Sequence, residues 1–228
     1  ELIDRAEGLS GSLGNAHLEG LIELARGIAA LSAGRWAEAR TRFATAEPVF
    51  RDHCAGAVWE QDTIHHLTAW VLTLLGDDAG LRLQLPSLVR EARERGDLYA
   101  ETNLSAFPMT FLWLADDDPD RAAAELDRVM ARWSHRGYHV QHAAALRAGV
   151  WNLLYRGEPG RAWARLEEDW PSYRRSLLPR VRLIRVQMTD LRARAALAAD
   201  SSDDRADRLR EAERGARSLE REGVLWAE

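Results

Sequence analysis

Residues 57–97 read AVWEQDTIHHLTAWVLTLLGDDAGLRLQLPSLVREARERGD, and this stretch decides the fold. Its first half is apolar at helical spacing (Val58, Ile64, Leu67, Val71, Leu74) and is broken by Gly76-Asp77-Asp78. The apolar spacing resumes with Leu81, Leu85, Leu88 and Ala92, and Gly96-Asp97 stops it. A glycine after the last periodic residue and an aspartate before the next run are the chemistry of a helix end followed by a helix start. The stretch therefore predicts two helices of about 16–18 residues, each ~25 Å long, folded into a hairpin by a short turn.

The pattern recurs outward in both directions. Equivalent restarts stand at Ala39, Leu81, Ala122, Ala162 and Arg205. Five residues before each lies a turn-former (Gly34, Gly76, Asp117, Gly157, Asp200), and four after each an apolar residue (Phe43, Leu85, Leu126, Leu166, Leu209). A second turn is expected near Cys54, Gly96, Gly137, Leu177 and Gly223. In the third unit one helix is expected over 98–115, followed by Asp116-Asp117-Asp118-Pro119 as a capped helix start. A fixed period of this size implies units that cannot bury their apolar faces alone and must stack. The units fall at 18–56, 57–97, 98–138, 139–178 and 179–223. Residues 1–17 and 224–228 read as parts of neighbouring units, which predicts an array that continues beyond both ends.

Composition narrows the chemistry. The chain has 228 residues, 46% hydrophobic and 29% charged, with a formal net charge of −5. That balance argues against a general nucleic-acid binder, which needs a basic footprint. Every basic residue is arginine, so no phosphate-loop, kinase-strand or Schiff-base lysine is present in these residues. The single cysteine, Cys54, leaves no internal disulfide and reads as packing. No apolar run reaches the ~20 residues of a membrane helix, and a cytoplasmic setting is expected.

Chemical motifs are sparse. His135, His139 and His142 have spacings that could gather imidazoles, with His65-His66 adding two more, but Gly137 divides the cluster and no metal site is expected. Asp116, Asp117, Asp118 and Asp120 lack the glycine and distal glutamate of a calcium loop and are assigned to capping. Gly8, Gly11 and Gly14 follow no strand and make no phosphate loop. The arginines at 174, 175, 180, 182 and 185 read as a solvated helix end. No nucleophile with a paired base emerges, and no cofactor is expected.

The spacing Ala39, Phe43, Ala46, with Gly27 twelve residues before Ala39, resembles the tetratricopeptide repeat. Matching first-helix positions hold Gly27, Ala69, Thr110, Val150 and Ala193. The period is longer than that family's 34 residues. Residues 90–97 (REARERGD) and 131–142 (ARWSHRGYHVQH) resemble the repeat-bearing arms of multidomain bacterial serine/threonine kinases, in which kinase and ATPase modules precede the repeats. The resemblance implies an all-α, tetratricopeptide-like solenoid of about five antiparallel hairpins in a right-handed superhelix. It further implies a non-catalytic region that binds a peptide, a partner domain or its own parent's kinase and ATPase domains.

In such repeats the first helix of each pair lines a concave groove. Trp70, Phe111 and Trp151 would then form an aromatic ladder beside Arg194, with His66, Phe107, Arg147 and Asp190 one turn earlier. These eight residues are the expected binding surface, for a peptide or, alternatively, a small molecule. A metal-dependent helical enzyme is a distant third expectation. Packing between repeats is the competing role for the aromatics.

Overall fold

A computed structural model describes residues 2–10, 14–199 and 204–223. Twelve α-helices and no strand occur among them. They are α1 (Leu2–Ser10), α2 (Ala16–Ser32), α3 (Trp36–His53), α4 (Val58–Leu75), α5 (Asp78–Arg95), α6 (Leu98–Ala106), α7 (Pro108–Ala115), α8 (Pro119–Arg132), α9 (Val140–Tyr155), α10 (Pro159–Arg175), α11 (Arg182–Ala198) and α12 (Arg205–Glu220). The chain divides into two compact units, Glu1–Glu91 and Ala92–Glu228. The expected turn at 200–203, Gly11 and the helix start expected at 224–228 lie outside the described residues.

The turns between paired helices repeat one hydrogen-bond pattern. The N–H of Arg35 donates to the Ala30 carbonyl at 2.9 Å, Asp77 to Leu72 at 2.9 Å, Asp118 to Trp113 at 2.8 Å and Glu158 to Leu153 at 2.9 Å. Each bond spans five residues and closes the helix end in a Schellman motif, which needs a left-handed residue just before the donor. Gly34, Gly76 and Gly157 supply it at φ 77°, 67° and 72°. Asp117 adopts φ 55°, the only positive value of a non-glycine residue among those described. The Asp117 carboxylate accepts a 2.7 Å hydrogen bond from the Tyr155 hydroxyl, a contact a glycine could not make. Asp77, Asp97 and Asp118 then cap the following helices through the N–H groups of Gly80, Ala100 and Arg121 at 2.8, 2.9 and 3.0 Å.

The helix expected over 98–115 is two helices. Phe107 leaves the helical region (φ −128°, ψ −61°) and Pro108 opens α7. Proline has no N–H for the ladder and pushes the residue before it out of α geometry, which the apolar spacing across the break concealed.

Neighbouring helices pack in pairs. In the first unit, a Cβ built on Gly27 would meet the Phe43 ring at 2.3 Å, and one on Gly20 the Phe50 ring at 2.7 Å. One residue number falls as its partner's rises, so α2 and α3 run antiparallel and the phenyl rings lie directly on the α2 backbone. Ala39, Phe43, Ala46 and Phe50 are all fully buried there. In the second unit, Ala143, Leu146, Val150, Ala162, Leu166, Tyr173, Ile184, Met188 and Leu191 form one core across α9, α10 and α11. Arg192 ties α10, α11 and α12 together: its guanidinium lies 4.7 Å from the Trp163 ring centre and 4.5 Å from that of Trp170, and it pairs with Glu167 and Glu211 at 2.6 Å each. The fifth restart departs from the others, since Arg205 is exposed and Leu209 is 45% exposed.

Gly27→Val is expected to lower stability by about 1–3 kcal/mol, because the Phe43 ring must leave its seat. Gly160→Ala, with nothing within 4 Å of the added carbon, should leave stability unchanged or raise it by up to ~1 kcal/mol. Urea unfolding curves of the two variants check this contrast, and equal midpoints would contradict it.

Candidate functional site

The structure places the eight expected surface residues in both units. In the first, His66 and Trp70 sit one turn apart on α4 with ring centres 5.8 Å apart; Trp70 is buried and His66 half-buried. In the second, the break at Pro108 sets Phe107 at the end of α6 and Phe111 on α7, their rings edge to face at 4.8 Å. The Arg147 guanidinium of α9 lies 3.8 Å over the Phe107 ring and donates to Gln187 Oε1 of α11 at 2.7 Å. Asp190 follows one turn along α11 and receives Arg194 Nε on both oxygens, at 2.8 and 2.9 Å. Phe107 and Arg147 are buried, Phe111, Trp151 and Asp190 half-buried, and Arg194 exposed. Trp151 packs against the α9–α11 core.

Arg147 is the costliest side chain of this row. Burial pulls its guanidinium down, to about 9, while the charge of Asp190 pulls the other way, so it is a buried cation at neutral pH. The ring face of Phe107 and the amide oxygen of Gln187 stabilise that cation without cancelling its charge. The Gln187 amide is oriented by this bond, and its Nε2 is buried with no hydrogen-bond acceptor. A parallel arrangement lies near the start of α9, where Gln141 donates to Asn103 Oδ1 at 3.0 Å and leaves Asn103 Nδ2 buried and unaccepted. The layer is rich in donors.

Residue spacing gave no sign of a second polar centre at the start of α6. Glu101 is 1% exposed, and three arginines converge on it. Arg93 Nε and Arg128 Nη2 reach Oε1 at 2.8 and 2.7 Å, and Arg132 Nη1 reaches Oε2 at 2.7 Å. Glu125 joins through Arg128 at 2.9 and 3.0 Å and through Arg93. Burial pushes the Glu101 carboxyl up, but the hydrogen bonds from Arg93 and Arg128 outweigh it and hold the group below its ordinary range. Glu125 is held low in the same way, chiefly by Arg128.

Two clefts open on the other side of the first helices. One, of about 470 Å³, lies among α3, α4 and α5, with Phe43, Ala44, Thr68, Leu72, Leu83 and Gln84 in its walls. The other, of about 690 Å³, lies among α8, α9 and α10, with Leu126, Asp127, Gly149, Leu153, Ala164 and Arg165. The two are equivalent in repeat register. Phe43 and Ala44 stand four and five residues after Ala39, as Leu126 and Asp127 do after Ala122; Leu83 and Gln84 follow Leu81 as Ala164 and Arg165 follow Ala162. At about 100° per residue, the α9 cleft residues face away from Arg147 and Trp151. In the α8–α10 cleft the Arg165 guanidinium occupies the space a side chain at Gly149 would fill, 2.5 Å from its virtual Cβ.

His135, His139 and His142 gather at the connector before α9, and no group of three or more His, Cys, Asp or Glu among the described residues could hold a metal ion. Arg182 and Arg185, expected in a solvated helix end, both grip Glu222, with Arg185 at 2.7 and 2.9 Å. Cys54 is a half-buried free thiol. No helix among the described residues is long and apolar enough to cross a membrane. No family model, curated protein or solved structure matches this chain.

The Glu101 brace sets an acid limit. A carboxyl held low in the folded state contributes stability that is complete above its ordinary value of 4.5 and is lost as the pH falls through the folded value. Glu101→Gln is expected to cost roughly 1–3 kcal/mol at pH 7 and to flatten the loss of stability between pH 5 and 3. Urea midpoints of both proteins across that range check it; parallel profiles would contradict the assignment.

Proposed function

We propose that this chain is a tetratricopeptide-like solenoid of about five antiparallel hairpins in a right-handed superhelix. In this reading it serves as a non-catalytic interaction and regulatory region of a cytoplasmic signalling protein and binds a peptide or partner domain. The repeated Schellman turns and the ring-on-glycine pairing of α2 and α3 support the architecture. The observation that carries the binding reading is the buried Arg147, held over Phe107 and against Gln187 beneath the more accessible Phe111, Trp151, Asp190 and Arg194. The Gln187 Nε2 donor, buried without an acceptor, is expensive for packing alone, and an acceptor-bearing segment would satisfy it. The aromatic rings would supply contact area, and Arg194 with Asp190 a polar rim. The first partner to test is a kinase or ATPase module of the parent protein, which the sequence resemblance implies. Binding regulates such a module only if it favours one arrangement over another.

Size supports a second reading, a small-molecule sensor. The α8–α10 cleft, at about 690 Å³, lies in the range of ligand pockets.

Selection of a displayed random-peptide library on the wild-type protein is expected to enrich a defined motif. The Phe111→Ala/Arg194→Ala protein should bind the selected peptide at least about tenfold more weakly with little change in melting temperature. Failure to enrich any motif, or equal binding by the variant, would count against the interaction reading. Melting shifts with metabolites that vanish in Arg165→Ala would favour the sensor instead.

A further inference from the structure

The connector from Trp133 to His139 joins α8 to α9 and is held by one imidazole. His142, in the first turn of α9, accepts the His139 backbone N–H on Nδ1 at 3.0 Å. It stacks on the Tyr138 ring at 5.3 Å and 27°, and lies 5.4 Å from the His139 ring. His139 meets Trp133 edge to face at 6.1 Å, and Tyr138 meets Tyr173 of α10 at 6.4 Å. The His142 ring therefore fastens the last residues of a seven-residue strap whose bend, at Gly137, has φ 84°.

We propose that this connector is a pH-operated strap, locked by the neutral His142 ring and released when that ring takes a proton. A neutral imidazole with its proton on Nε2 keeps Nδ1 as the acceptor of the His139 N–H. Protonation at Nδ1 replaces the acceptor by a second N–H, which then faces the His139 N–H. Burial first, and then His139 and His135, hold His142 below its usual value of 6.5, against the opposing effect of the Ser134 backbone. The neutral form is thus the one the fold favours. The strap is fully locked above 6.5 and opens as the pH falls through a lower value. The charged and titratable groups around it are His135, Arg136 and His139 of the connector, and Asp169 and Tyr173 of α10, which act on Tyr138 with Arg165 opposing. Arg132 of α8 is engaged by Glu101 of α6, and Arg185 of α11 by Glu222. Release frees the α8–α9 corner and uncovers Trp133 and Tyr138.

The test follows the Trp133 indole and His139 amide signals by ¹⁵N NMR from pH 8 to pH 5, with the indole assigned through Trp133→Phe. Both are expected to titrate together with a midpoint below 6.5. His142→Gln supplies an acceptor that carries no proton, as in a capping box, and should abolish the titration. His135→Gln should keep the titration and move its midpoint up, because the lowering effect of His135 on His142 is gone. A wild-type protein with no titration at either signal, or a His142→Gln protein that titrates like wild type, overturns the proposal. If the whole domain unfolds over the same range, unfolding shared by His142→Gln overturns it and unfolding confined to wild type supports it. The His142 tautomer at pH 8, read directly in the wild-type protein, must carry its proton on Nε2; a proton on Nδ1 overturns the proposal even if the variant does not fold.

Discussion

A helix end that must turn back within three residues constrains everything else in this protein. Closing it satisfies the last carbonyls only if one residue enters the left-handed region, at a cost of roughly 1–2 kcal/mol for any residue but glycine. The chain meets that demand with glycine at 34, 76 and 157 and with aspartate at 117. Once the turn closes, the second helix lies along the first, and the residues that face each other must be small on one side. Gly20 and Gly27 beneath Phe50 and Phe43 show the close limit of that contact. Turn and contact reinforce each other, since the turn sets the register that brings ring onto glycine.

The second unit adds something that helix pairing does not require. Every residue of α6 from Ala100 to Ala106 is buried, and Glu101, Thr102, Asn103 and Ser105 are among them. A helix buried all round is ordinarily apolar all round. Here Glu101 is neutralised by three arginines from α5 and α8, and the Asn103 carbonyl is satisfied by Gln141 of α9. Farther along, the Arg147 guanidinium lies over the Phe107 ring and donates to the Gln187 amide oxygen. The first of these centres fastens helices together. The second leaves Gln187 Nε2 buried without an acceptor, and the proposal of binding at this face draws on that donor.

Much of the architecture was legible because it is written in residues with one conformational use. Glycine and aspartate at a fixed interval marked the turns, and even Asp117 was placed correctly as a turn residue, since its position in the period mattered more than its identity. Pro108 was equally visible but was overridden by the apolar spacing around it, although a proline there cannot continue a helix. The Glu101 brace was not legible. Helical periodicity assigns a glutamate to the solvent face, and Arg128 and Arg132 lie 27 and 31 residues away in the chain. Gln187 and Asn103 carried no signal, because an amide is common on any helix. The clefts escaped notice for a different reason: they arise from what is missing, the small side chains Ala44, Ala164 and Gly149 flanking the buried anchors.

One closed turn is built repeatedly from unlike sequences. Residue-resolved hydrogen exchange in the native protein tests it most directly. The amides of Arg35, Asp77, Asp118 and Glu158, each just past a helix end, are predicted to be protected well beyond intrinsic rates, with Asp118 matching the three that follow glycine. Exchange of these amides at the rate of an open chain, or protection at the glycine turns alone, would contradict it.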